Sequence, residues 1–213
     1  VNLASYIDHT LLRPDAVVAD ITRLCQEALE QKFAAVCVNP CYVDQAAHFL
    51  AGTGVKTAAV IGFPLGANLT AVKAFEAAEA IKYKADELDM VINIAAAKSG
   101  QWQAVEEDIR QVVAAAGGNL VKVIIETGFL TDEEKRHACD AILKAGAHFV
   151  KTSTGFGPGG ATIEDIRLLK EIVGDSLGIK AAGGIRNRQQ AEEMIAAGAT
   201  RIGTSSGVEI VRP

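Results

Sequence analysis

The sequence predicts an α/β fold, a single-domain (β/α)8 TIM barrel over residues 1–213. Three observations carry that reading. Short apolar runs alternate with amphipathic, helix-like segments eight times. Several runs are nearly continuous in Val, Ile and Ala, as parallel strands covered on both faces require. No linker, low-complexity segment or shift of composition divides the chain. So many alternations in about 200 residues favour a closed barrel; an open doubly wound sheet is the alternative.

The strand-like runs are Tyr6–Asp8, Ala34–Val38, Thr57–Ile61, Glu87–Ile92, Val121–Ile125, Phe149–Thr152, Ile179–Ala182 and Arg201–Thr204. Between them, apolar residues recur at helical spacing, as at Val17, Ile21, Leu24, Ala28 and Leu29, and again at Trp102, Val105, Ile109, Val112 and Val113. Thr131-Asp-Glu-Glu134 and Thr162-Ile-Glu-Asp165 have the form of a capping box at a helix start. Ala145-Gly146-Ala147 and Ala197-Gly198-Ala199 supply glycines where helices should stop.

Composition narrows the function. Apolar residues make up 49% and charged residues 22% of the chain, the balance of an ordinary soluble domain. A net charge of −5 argues against nucleic acid as partner but allows a small anion held by local amides and lysines. No apolar run is long enough to span a membrane, and the first residues lack a signal-peptide layout, so a cytoplasmic address is expected. Cys25 and Cys139 read as core residues; Cys37 and Cys41 lack the further ligands of a metal site. His9, His48, His137 and His148 show no ligand spacing, and no metal is expected.

In a barrel, chemistry sits where strands end and loops begin. Lys151 and Lys180 stand at such positions on neighbouring strands, each followed by glycine-rich loop. A lone strand lysine is as readily a structural ion pair as a functional group. Two together shift the balance, because a cationic neighbour and a dry site lower an amine's pKa and free it to attack a carbonyl. Asp89 alternates with Leu88, Met90 and Ile92, which should pack under helices, so its carboxylate should face the interior. There it would partner a lysine, shuttle a proton, or both. Lys122 and Glu126 share a strand face and read as an interior polar network, with a catalytic part as the alternative. Gly155, Gly183, Gly184, Ser205 and Ser206 should gather at the mouth of the last strands, where barrels seat phosphate on bare amides. A nucleophile elbow, a P-loop and a dinucleotide fingerprint are absent.

The motifs Ile7-Asp-His-Thr-Leu-Leu12, Glu87-Leu-Asp-Met-Val-Ile-Asn93, Val121-Lys-Val-Ile-Ile-Glu-Thr-Gly128, Val150-Lys-Thr-Ser-Thr-Gly-Phe-Gly157, Lys180-Ala-Ala-Gly-Gly-Ile-Arg186 and Gly203-Thr-Ser-Ser-Gly207 run nearly end to end. Together they resemble the class I deoxyribose-phosphate aldolases. The resemblance implies reversible cleavage of 2-deoxy-D-ribose 5-phosphate to D-glyceraldehyde 3-phosphate and acetaldehyde, with neither metal nor organic cofactor. It implies Lys151 as the Schiff-base lysine, Lys180 as the lysine that lowers its pKa, and Asp89 as the proton carrier. Phosphate would meet Gly155, Gly183, Gly184, Ser205 and Ser206, and the chain would form a homo-oligomer, dimer or tetramer.

The sequence departs from the family pattern at Lys84, where Gly is usual, and at Ala95 and Ala97 in the loop after Asp89. Some members carry a longer tail ending in a tyrosine. This sequence stops at Pro213, which puts tail-assisted proton transfer in doubt. Two other functions fit the same residues less fully: a sugar-phosphate isomerase using Asp89 and a lysine without a covalent bond, and a silent barrel that senses a phosphorylated metabolite.

Overall fold

The computed structural model of the chain describes residues 2–212, so the reading at Pro213 lies outside the described residues. Eight parallel strands close into a barrel in sequence order: β1 (Ile7–Leu11), β2 (Ala35–Val38), β3 (Lys56–Ile61), β4 (Glu87–Val91), β5 (Leu120–Ile124), β6 (Phe149–Lys151), β7 (Gly178–Ala182) and β8 (Arg201–Thr204). Closure is the β1–β8 pairing, with Asp8 opposite Gly203 and His9 opposite Thr204. Around the barrel run α1 (Val18–Gln31), α2 (Val43–Leu50), α3 (Thr70–Lys82), α4 (Ile94–Lys98), α5 (Trp102–Ala115), α6 (Asp132–Ala145), α7 (Ile163–Val173), α8 (Arg188–Ala197) and α9 (Gly207–Val211).

Strands β2 to β8 begin and end within one residue of the boundaries expected from sequence. The first strand does not. Tyr6 lies in a 3-10 turn, and β1 continues through His9 and Thr10 to Leu11. Polar residues made this strand look short, yet each has a place. His9 points outward, 2.7 Å from Glu27 of α1 and tilted against Phe33, while Thr10 lines the barrel mouth.

Strand alternation sorts the side chains into two compartments. The outer set, including Val36, Ile61, Leu88, Met90, Ile92, Val121, Val123 and Ile179, is buried in the main core with the helices' apolar faces. The inner set is polar away from the β2–β3 side: Asp8, Glu87, Asp89, Lys122, Lys151 and Lys180 are all buried. A small separate cluster of Cys37, Ala58 and Val60 fills the β2–β3 side.

Helix ends follow the expected chemistry, with two exceptions. Thr131 and Glu134 form both halves of the capping box at α6, and Gly146 closes that helix at φ +77°. Thr162 caps α7 through the Asp165 amide. Asp165 itself does not reach back; its carboxylate meets Lys135 at 2.7 Å, leaving half a box. Gly198 ends α8 at φ +123°, outside the left-handed helical well. No helix of the described residues is long and apolar enough to cross a membrane.

Candidate active site

A cavity of about 350 Å³ opens at the C-terminal ends of β1, β6, β7 and β8. Lys151 lines it, as do Thr10, Thr154, Gly155, Gly183, Gly184 and Ser205. Ser206 is not among the lining residues, and its N–H donates to the Thr204 hydroxyl at 2.9 Å. Gly183 and Gly184 hold φ of +93° and +82°, and Gly155 +85°, in the region where a side chain is strained. That conformation leaves the loop backbones bare toward the cavity. Of the five residues expected to gather at this mouth, Gly155, Gly183, Gly184 and Ser205 line the cavity and Ser206 does not.

Beneath the cavity lies a charged cluster built from six strands. Asp89 of β4 accepts from three lysines: Lys151 and Lys180 at Oδ2, both at 2.7 Å, and Lys122 at Oδ1 at 2.8 Å. Lys180 also donates to Asp8. Lys122 sits 2.6 Å from Glu87 and 3.6 Å from Asp8. Arg201 closes the far end, donating to Asp8 at 2.6 Å and to Glu87 at 3.0 Å. Cys37 points its thiol at Asp89, 3.9 Å away. Cys41, by contrast, is exposed, so the two cysteines do not converge.

The lysines differ in their protonation. Burial lowers the Lys151 pKa; Asp89 opposes that and Lys180 adds to it, with a net fall. Burial also works against a charged Lys180, but the carboxylates of Asp8 and Asp89 outweigh it, and its pKa is raised. Lys122 rises likewise against its burial, held by Asp89. Asp89 is penalised by burial, yet Lys122, Lys151 and Lys180 hold its carboxyl well below the usual range. The result is an amine with a lowered pKa at the cavity, a fixed ammonium beside it and a carboxylate bonded to both. Such a group can attack a carbonyl carbon and form an imine.

The expected Lys122–Glu126 network is not there. The strand ends at Ile124, and Glu126 turns away with φ +53°. Its carboxylate accepts from the amide and hydroxyl of Thr154, bracing the loop after Lys151. The loop's other anchor is Thr152, whose hydroxyl donates to Ala182 O at 3.0 Å and accepts from Ala182 N at 3.1 Å.

The pattern of the DeoC/LacD family aldolases matches residues 3–212. This chain belongs to that aldolase family. Among curated members, the deoxyribose-phosphate aldolase of Staphylococcus carnosus is 56% identical over 212 residues, all of this chain and 96% of the relative. That of a Geobacillus strain is 59% identical over 211 residues, 99% of this chain and 95% of the relative. Among solved structures, the tetrameric deoxyribose phosphate aldolase from Aeropyrum pernix superposes with a TM-score of 0.92 at 36% identity, covering 98% of this chain and 89% of that one.

The departures from the aldolase pattern have local explanations. Lys84 sits at φ +74°, a conformation glycine adopts without strain, in the turn into β4. Ala95 is at the surface, on the wall of a second cavity of about 410 Å³ that shares Thr154 and Phe156 with the first. Ala97 is in the core and does not shape the rim.

Sequence reasoning missed Asp8, Glu87 and Arg201 as members of the cluster, and Arg13 and Arg186 as residues lining the cavity. Arg13 is held by Asp15 at 2.8 Å and by Asp20. Arg186 is exposed directly after Gly183-Gly184, where position alone could have suggested a partner for an anion.

Proposed function

We propose that the chain cleaves 2-deoxy-D-ribose 5-phosphate reversibly to D-glyceraldehyde 3-phosphate and acetaldehyde through an imine on Lys151. The observation that carries this reading is the position of Lys151. Of the three interior lysines that share Asp89, it alone lines the cavity, and its pKa is lowered. The curated aldolases cited above act on deoxyribose phosphate by name, and their similarity extends over essentially the whole chain.

In cleavage, the free amine of Lys151 adds to the C1 aldehyde, and loss of water gives the iminium. A base removes the proton of the C3 hydroxyl, and the C2–C3 bond breaks. Its electrons pass into the iminium, giving an enamine and releasing glyceraldehyde 3-phosphate. Protonation at C2 and hydrolysis then free acetaldehyde and return the amine. Asp89, whose Oδ2 accepts from both Lys151 and Lys180, serves the proton steps together with Lys180 and an ordered water. Lys180 also remains cationic, which disfavours a second ammonium at Lys151.

The phosphate belongs at the opposite side of the cavity, against the amides of Gly155, Gly183 and Gly184 and the hydroxyl of Ser205, with Ser206 behind them. Support comes from the bare, positive-φ backbone there and from Arg186 at the rim. A homo-oligomer is part of the proposal, supported by the tetrameric Aeropyrum pernix relative. The direct test is release of acetaldehyde from 2-deoxy-D-ribose 5-phosphate by the purified chain. Absence of acetaldehyde with the phosphorylated sugar bound would support a silent sensor instead.

A further inference from the structure

The buried cluster can be counted. It holds three carboxylates, Asp8, Glu87 and Asp89, and four basic side chains, Lys122, Lys151, Lys180 and Arg201. With every group ionised, the interior would carry one uncompensated positive charge, which burial strongly disfavours. Removing one proton balances it. Lys151 is the group placed to lose it, because it touches one carboxylate, whereas Lys180 meets two, Lys122 three within 4 Å and Arg201 two.

We propose that Arg201 is a positioning residue which, from beneath the site, completes this charge balance and so keeps Lys151 a free amine. Arg201 does not line the cavity. Its guanidinium lies 6.0 Å from the Phe149 ring centroid and holds Asp8 and Glu87. The chain of contacts to the reacting amine is continuous: Arg201 to Asp8, Asp8 to Lys180, Lys180 to Asp89, Asp89 to Lys151. Without Arg201, three carboxylates would face only Lys122 and Lys180. The balancing proton would then settle on Lys151, the most basic group with a vacancy for it, and the amine would be lost as a nucleophile.

The other groups around Lys151 leave this inference intact. Strand β1 presents Asp8, β2 the Cys37 thiol, β4 Glu87 and Asp89, β5 Lys122, β7 Lys180 and β8 Arg201. Inside the barrel β3 offers only Ala58 and Val60. Burial, foremost, and then Asp89 push the Cys37 thiol pKa up, so it stays neutral. Glu126 is committed to Thr154, while Arg13 and Arg186 stand at the open mouth, where water and salt screen them.

The inference rests on Lys151 being the imine-forming amine, and the test separates the two claims. The initial rate of imine formation with acetaldehyde, trapped by cyanoborohydride and located by mass spectrometry, is followed against pH in each variant beside the unsubstituted protein. Arg201→Met should move the acid limb up by about one pH unit, lowering trapping on that limb roughly tenfold. Arg201→Lys, which keeps the charge, should restore it. Glu87→Gln removes an anion and should shift the limb the opposite way, and the Arg201→Met/Glu87→Gln double variant should return close to the original. Loss of a merely structural brace would instead add in the double variant. Should Arg201→Met fail to fold, the downward shift in Glu87→Gln carries the test alone. Unchanged midpoints in Arg201→Met or Glu87→Gln, or an Arg201→Lys as impaired as Arg201→Met, would overturn the role of Arg201. No adduct on Lys151 in the unsubstituted protein would overturn the imine reading itself, and this inference with it.

Discussion

Lys151 and Lys180 stand in register on adjacent strands and donate to the same oxygen, Asp89 Oδ2, each at 2.7 Å. Two ammonium groups at that spacing would repel. The protein resolves the conflict by giving Lys180 a second carboxylate, Asp8, and Lys151 none. Asymmetry in the partners becomes asymmetry in protonation, and that assigns different chemistry to two identical side chains.

This relationship predicts the behaviour of Lys180→Met. Removing the neighbouring cation takes away an influence that lowers the Lys151 pKa, so that pKa rises toward the ordinary lysine value. Less free amine is then present at neutral pH, and activity falls. Raising the pH should recover part of the loss, which a pH–rate profile measures directly. Burial, the larger cause of the lowered pKa, remains in the variant and sets how far the recovery can begin below pH 10. A flat profile with trapping at the original efficiency would leave Lys180 only a proton-relay role.

Lys84→Gly should stabilise the protein while leaving turnover alone. Lys84 is exposed and makes no ion pair among the described residues, yet it holds φ +74°. Relief of that conformation is worth on the order of 1 kcal/mol, less the extra freedom glycine gains in the unfolded chain. A rise of roughly 1–3 °C in Tm is expected for a domain of this size. A fall in Tm would show that the lysine side chain contributes more than its backbone strain costs.

How much of this was legible in the sequence depends on the range of each interaction. The alternation of Leu88, Met90 and Ile92 with Asp89 is local, and it placed the carboxylate inside correctly. Lys151 and Lys180 announced themselves as lysines in apolar strands. Asp8, Glu87 and Arg201 did not, because each stands at or near the start of a strand, where a charge ordinarily meets solvent. Their meaning comes from partners 193 and 114 residues apart, joined only by closure of the barrel. Glu126 was misplaced because strict alternation was carried two residues past the end of β5, where the backbone turns into a left-handed conformation.

Gly184→Leu should separate phosphate binding from chemistry. No neighbour lies within 4 Å of a Cβ placed at Gly184, and φ is +82°, so the leucine would add strain and stand at the open loop that borders the cavity. KM for 2-deoxy-D-ribose 5-phosphate should rise by about tenfold or more, with a smaller change for unphosphorylated deoxyribose. Equal losses on both sugars would move the phosphate site elsewhere.

The central claim is that Lys151, and neither of the two lysines that share its carboxylate, carries the covalent bond. Borohydride reduction in the presence of 2-deoxy-D-ribose 5-phosphate, followed by peptide mass spectrometry, tests it most directly. The account predicts a reduced adduct on the peptide containing Lys151, none on those containing Lys122 or Lys180, and no adduct in Lys151→Leu. That variant should also fold normally and lose far more than the 10²–10⁴-fold typical of a missing acid or base. An adduct on Lys122 or Lys180 in the unsubstituted protein, or turnover near the original rate in Lys151→Leu, would contradict the account.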